Sequence, residues 1–87
     1  MLTALKIMKE LSRKNANTEY LCMLYDISPA TLKREIAMAR HLGAVIKSKK
    51  VKHFNGSAFV YNIENWETCK KRTEKWIELE EQKTVIS

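Results

Sequence analysis

The chain has 87 residues, of which 45% are hydrophobic and 30% charged, with two glycines and one proline. This length and composition fit one compact domain and exclude a fibrous, a disordered or a multidomain protein. There is no apolar run near the roughly 20 residues of a membrane-spanning helix and no signal-peptide layout, so we expect a cytoplasmic protein.

The net charge of +6 lies in one stretch, residues 28–53. That stretch holds seven lysines and arginines against one acid, Glu35, whereas the rest of the chain holds nine basic and nine acidic side chains. Concentrated positive charge on a small domain favours a polyanionic partner, although a basic face is often only solvated.

Apolar spacing predicts two helices in the first third of the chain. The first covers residues 3–14 with Thr3 as its N-cap, and the second covers residues 18–26 with Glu19 in its first turn. Their predicted buried stripes are Ala4, Ile7, Met8 and Leu11 in the first helix, and Leu21, Leu24 and Tyr25 in the second.

A third helix is predicted over residues 28–42, because Ser28 can act as N-cap, Pro29 suits the first helical position and Gly43 can end the helix. Its predicted buried face comprises Leu32, Ile36 and Ala39. At 100° per residue, the opposite face comprises Ala30, Lys33, Arg34, Ala37, Met38 and His41.

Extended structure is predicted over residues 44–63, as two strands around an Asn55-Gly56 turn, and the first of these strands is basic. A fourth helix is predicted over residues 65–82. Its apolar stripe, called here the C-terminal stripe, comprises Trp66, Cys69, Thr73, Trp76 and Ile77.

The segments 18–22 (TEYLC), 25–36 (YDISPATLKREI) and 43–45 (GAV), together with Ala39, resemble the helix-turn-helix of DeoR-type bacterial regulators. The resemblance implies an α+β winged helix-turn-helix fold, with a three-helix core, a two-stranded β-hairpin wing and an additional C-terminal helix, in a single domain over residues 1–87. It implies binding to double-stranded DNA. The effector domain of those regulators is not in this chain, so we expect no sugar-phosphate sensing.

In this interpretation the third helix enters the major groove. Lys33 and Arg34 are the side chains suited to guanine O6 and N7, whereas the helix N-terminus and the wing lysines suit phosphates. The predicted DNA-binding residues are Ser28, Pro29, Ala30, Thr31, Lys33, Arg34, Ala37, Met38, His41, Lys47, Lys49, Lys50, Lys52 and His53.

The fourth helix has two interpretations. Its C-terminal stripe can cover the core of its own chain, or it can pair with the stripe of a second copy in a homodimer. The charge order motivates the homodimer interpretation, because the basic segment 70–75 precedes the acidic segment 78–81 and this order opposes the helix dipole. An antiparallel pair would place each segment against its opposite.

Catalysis is not expected, because the chain has no glycine-rich phosphate loop, no paired carboxylates at catalytic spacing and no nucleophile with a base and an orienting acid. Cys22 and Cys69 lack the spacing of a metal site, so we expect no metal, no cofactor and two buried thiols.

From the predicted DNA-binding surface we expect a small bacterial, phage or mobile-element transcriptional regulator. The alternative is a winged-helix protein-protein interaction module in a replication, packaging or nucleoprotein complex.

Overall fold

The computed structural model describes residues 2–53 and 56–85, apart from the side chains at 53, 56–58 and 83–85. Four helices and three strands follow one another along the chain. They are α1 (Leu2–Arg13), β1 (Ala16–Asn17), α2 (Thr18–Tyr25), α3 (Pro29–His41), β2 (Ile46–His53), β3 (Gly56–Ile63) and α4 (Trp66–Val85). The protein is thus an α+β fold.

The sheet is antiparallel, in the order β1-β3-β2. The two-residue β1 was not predicted: Ala16 pairs with Tyr61 and Asn17 with Val60. Because β1 directly precedes α2, this pairing ties the hairpin to the helices.

The core lies between the helices and one face of the sheet. Its buried side chains come from every element of the fold: Ala4, Leu5, Ile7, Met8, Leu11, Ala16, Leu21, Leu32, Ile36, Ala39, Ala44, Ile46, Tyr61, Cys69 and Ile77. The predicted stripe of α1 is confirmed. Within the described residues no helix is both long and apolar enough to cross a membrane.

Two predictions about the start of the chain are wrong. Helix α1 begins at Leu2, so Thr3 lies inside it and is not its N-cap. In α2 Leu24 is 48% exposed, because an eight-residue helix packed on one side cannot bury a continuous apolar run. Helix α2 starts at Thr18 as predicted, and Asn17 caps it by accepting a hydrogen bond from the Tyr20 amide at 2.7 Å.

The α2–α3 connection is a tight turn. Asp26 has the left-handed conformation (φ 54°, ψ 53°), which Asp adopts more readily than most residues, and its amide bonds to the Cys22 carbonyl. Ile27 donates to the same carbonyl at 3.0 Å. Two donors on one carbonyl fix the angle at which the chain enters α3.

After α3, Gly43 has φ +108°, which confirms its predicted role in ending the helix. Strand β2 begins at Ile46, two residues later than predicted. The predicted Asn55-Gly56 turn falls partly on Asn55, which lies outside the described residues, and Gly56 belongs to β3, where it pairs with His53. Helix α4 extends three residues beyond the predicted end.

Candidate nucleic-acid interface

Helix α3 presents two distinct faces. Leu32, Ile36 and Ala39 are at most 2% exposed, as predicted. The predicted opposite side, called here the exposed face of α3, is solvent-exposed at all six positions: Ala30, Lys33, Arg34, Ala37, Met38 and His41. This face combines small residues with positive charge, which lets a helix approach a polyanion closely.

No acid lies on the exposed face of α3. Glu35, the one acid of the basic stretch, is half-buried beside the packed face. Its Oε2 atom is buried and has no hydrogen-bond partner among the described residues. Lys33 and Arg34 therefore face an approaching ligand with no acidic side chain beside them on the exposed face of α3.

The N-terminus of α3 is closed by its own cap. Ser28 Oγ accepts a hydrogen bond from the Thr31 amide at 3.1 Å and donates to Thr31 Oγ1 at 3.0 Å. Pro29 has no N–H, and the Leu32 amide bonds to the Ser28 carbonyl at 2.9 Å. The Ser28 hydroxyl and the Thr31 and Leu32 amides are therefore engaged within this turn, so fewer phosphate donors remain than the sequence suggested.

The register of the hairpin separates the wing lysines into two pairs. Directly paired residues share a face of a sheet, and β2 pairs Ser48 with Tyr61 and Lys50 with Phe59. Because side chains alternate along a strand, Lys50 and Lys52 lie on the face that carries Tyr61, called here the inner face. Lys47 and Lys49 lie on the other face. The side chain of His53 lies outside the described residues.

A crevice of about 300 Å³ separates α3 from the inner face of the hairpin. It is lined by Lys33, Ile36, Arg40, Ser48, Phe59 and Tyr61. The exposed face of α3 and the inner face of the hairpin thus meet along one continuous basic surface.

Arg40 holds the two sides of this crevice together. Its guanidinium donates two hydrogen bonds to the Ile46 carbonyl, from Nε at 3.1 Å and from Nη2 at 2.9 Å. Sequence reasoning counted Arg40 only as charge. Its carbonyl partner carries no side-chain signal, so no pattern in the sequence could have identified this contact.

Helix α4 braces the end of α3. Asn65 accepts a hydrogen bond from the Val45 amide at 2.7 Å and donates to the Gly43 carbonyl at 2.9 Å. Arg72 donates to the Leu42 carbonyl at 3.0 Å, and its guanidinium carbon lies 5.3 Å from the centre of the Trp76 ring. Asn65, which immediately precedes α4, and Arg72 of α4 thus both bind the segment that follows α3.

A basic and an acidic side chain of α4 both have partners within the same chain. Arg72 lies at the carboxyl end of α3, where the dipole of that helix favours a cation. Near the other end of α4, Glu81 lies 4.0 Å from Lys6 of α1. Two charges that oppose the dipole of α4 are thus each matched by a neighbouring helix.

The C-terminal stripe packs within its own chain. Cys69 and Thr73 are fully buried, Ile77 is 8% exposed, and Trp66 and Trp76 are partly buried against the core. This placement corresponds to the first of its two interpretations. The homodimer stays a prediction, and it would need other residues of α4 than the three buried ones.

An apolar groove of about 590 Å³ opens on the other side of Phe59, between α2, the turn and β3. Its lining comprises Thr18, Glu19, Cys22, Met23, Asp26, Ile27, Pro29 and Phe59. Met23 is 77% exposed, and both charged residues of the lining are acidic. The apolar run 20–25 was the sequence signal for this groove, since a helix that is apolar all round exposes some of it.

Cys22 is half-buried and Cys69 is buried, so the prediction of two buried thiols holds for Cys69 only. The residues 2–53 and 56–85 contain no cluster of three His, Cys, Asp or Glu side chains that could hold a metal ion. Comparison with protein-family models, with curated proteins and with solved structures found no match to this chain.

Proposed function

We propose that this chain is a winged helix-turn-helix protein that binds double-stranded DNA through α3 and the hairpin. The observation that carries the proposal is the continuous basic surface formed by the exposed face of α3, the crevice and the inner face of the hairpin. Helix α3 enters the major groove, and the β2 lysines contact the phosphate backbone.

Different basic residues would provide sequence specificity and general affinity for DNA. Lys33 and Arg34 project from a face whose other members include two alanines, so their side chains reach base edges in a groove about 12 Å wide. Lys50 and Lys52 are flexible point charges that suit phosphates. Sequence-specific binding by a domain of this kind fits a bacterial, phage or mobile-element transcriptional regulator.

Selection of bound duplexes from a random pool tests sequence specificity. We expect enrichment at a few adjacent base pairs, and two related half-sites if the protein binds as a dimer. An Arg34→Ala variant should lose enrichment at one base pair and keep it at the others. A pool that remains random while the protein still binds it would contradict specific recognition.

A second candidate function is a protein-protein interaction module, and the apolar groove favours it. Exposed Met23 and Phe59 with acidic Glu19 and Asp26 complement a segment that carries apolar and basic side chains. Titration of a random duplex at low salt separates the two candidates, because a protein module without DNA function would show no affinity.

A further inference from the structure

Phe59 extends the inner face of the hairpin beyond the core. Along β3 the residues 59, 61 and 63 share one face. Tyr61 is 6% exposed and Ile63 packs against the core, whereas Phe59 is 43% exposed. A large aromatic side chain thus remains open to solvent at the mouth of the α3–hairpin crevice.

Positive charge surrounds Phe59 on its crevice side. Lys50 is its direct cross-strand partner, and Lys33 and Arg40 line the same crevice. No acidic residue is among the lining residues. Arg40 is engaged by the Ile46 carbonyl, and neither Lys33 nor Lys50 forms an ion pair in the described part of the chain.

We propose that the crevice binds an unpaired nucleobase, stacked on Phe59, with a flanking phosphate contacted by Lys50. An exposed aromatic ring beside cations is the arrangement by which proteins hold bases outside a duplex. The volume of about 300 Å³ is about ten times the share of a liquid water molecule, which is ample for one base.

The apolar groove and the crevice lie on either side of Phe59 and differ in charge, and this difference favours the crevice as the site for a nucleic acid. The apolar groove has Glu19 and Asp26 in its lining, which repel a phosphate backbone. The crevice is basic. The inference rests on the proposed function and adds to it a preference for duplexes that contain an unpaired base.

Fluorescence anisotropy with two labelled duplexes tests the inference. They have the same sequence, and one carries a single extra thymine as a bulge. The wild-type protein should prefer the bulged duplex. Phe59→Ala should weaken its binding by about 5- to 100-fold, the effect of losing one stacked base, and should weaken binding to the perfect duplex less, so that the preference for the bulge disappears.

Phe59→Trp and Met23→Ala are the matched variants. Tryptophan offers a larger stacking surface, so it should keep the preference for the bulge, and Met23→Ala removes an exposed apolar side chain outside the crevice, so it should change neither affinity. Circular dichroism melting shows whether each variant is folded.

Three results would overturn the inference, and they are distinguishable. Equal loss on both duplexes in Phe59→Ala would show that Phe59 only supports the hairpin. If Phe59→Ala kept the preference for the bulge, Phe59 would not stack on the base, and its exposed ring would instead belong to the apolar groove as a site for a protein partner. Failure of the wild-type protein to bind either duplex at low salt would remove the proposed function as well.

Discussion

Arg34 lies almost opposite the buried Leu32 on α3, at the centre of the exposed face. Arg34→Ala should cost about 1–3 kcal/mol on the preferred sequence and relax the preference at one base pair, because a bidentate contact to guanine is lost. Anisotropy titrations on the selected site and on its single-base variants measure this. Equal loss on all sequences would contradict a base-contacting role.

Lys50 and Lys49 are neighbours on β2 that lie on opposite faces of the hairpin. Lys50→Ala should weaken binding to all duplexes, because Lys50 belongs to the surface that continues from α3. Lys49→Ala, which removes the same charge from the other face, should weaken binding less. Titrations of both variants on one random duplex give the comparison, and identical losses would show that the face does not matter.

Tyr25 links α2 to α1 by donating from its hydroxyl to the Lys6 carbonyl at 3.1 Å. Burial, with smaller contributions from the Glu10 carboxylate and Tyr20, raises the pKa of Tyr25 from 10.0 to about 12. The folded state thus holds the proton more tightly than the unfolded state. The resulting stability is complete below pH 10 and is lost as the pH rises from 10 to 12.

A Tyr25→Phe variant isolates this contribution. The wild-type protein should be more stable than the variant at pH 8, and the gap should shrink by about 1 kcal/mol by pH 11.5, a value reduced because the ring is half-exposed. Urea unfolding at both pH values measures the gap. A gap independent of pH would exclude the Tyr25 hydroxyl as its source.

At the scale of elements, the contacts of Asn65 and Arg72 with the segment after α3, called here the α3–α4 junction, could not be predicted from the sequence. Asn65 and Arg72 bind backbone carbonyls 22 and 30 residues away, and such partners carry no residue pattern. Strand β1 was missed for the same reason, since two residues have no periodicity and their partners lie in β3.

Helix α3 and its two faces could be predicted from local sequence signals. Ser28, Pro29 and Gly43 marked α3, and helical spacing separated its buried face from its exposed face because both depend on one element alone. The alternation of the β2 lysines was readable in principle. Which pair faces α3 required the register with β3 and the position of the hairpin against the helices.

Gly43→Ala tests the junction. The backbone at φ +108° is strained for any residue with a Cβ, and that Cβ would lie 2.8 Å from Arg72 Nη2. We expect a loss of about 1–3 kcal/mol in the free energy of unfolding, measured by urea denaturation. In this background Arg72→Ala should cost less than it does alone, because the hydrogen bond to Leu42 is already disturbed. Strictly additive costs would contradict the coupling.

At the scale of the whole molecule, the charge distribution and the fold support the same interpretation. The stretch 28–53 carries a charge equal to the whole net charge of +6, and it forms α3 and β2, which meet at the crevice. The rest of the chain carries equal numbers of basic and acidic side chains. Two of these charges have partners at the surface: Arg72 contacts the Leu42 carbonyl and Glu81 contacts Lys6. One surface is therefore electrostatically distinct from the rest.

The most direct test of DNA binding by this surface is the salt dependence of affinity for a random duplex, measured by anisotropy between about 50 and 200 mM salt. Three to six phosphate contacts predict a slope of roughly −3 to −5 in a plot of log affinity against log salt. A combined Lys50→Ala and Lys52→Ala variant, which removes two of these phosphate contacts, should have a shallower slope. No measurable binding at the lowest salt would contradict the account.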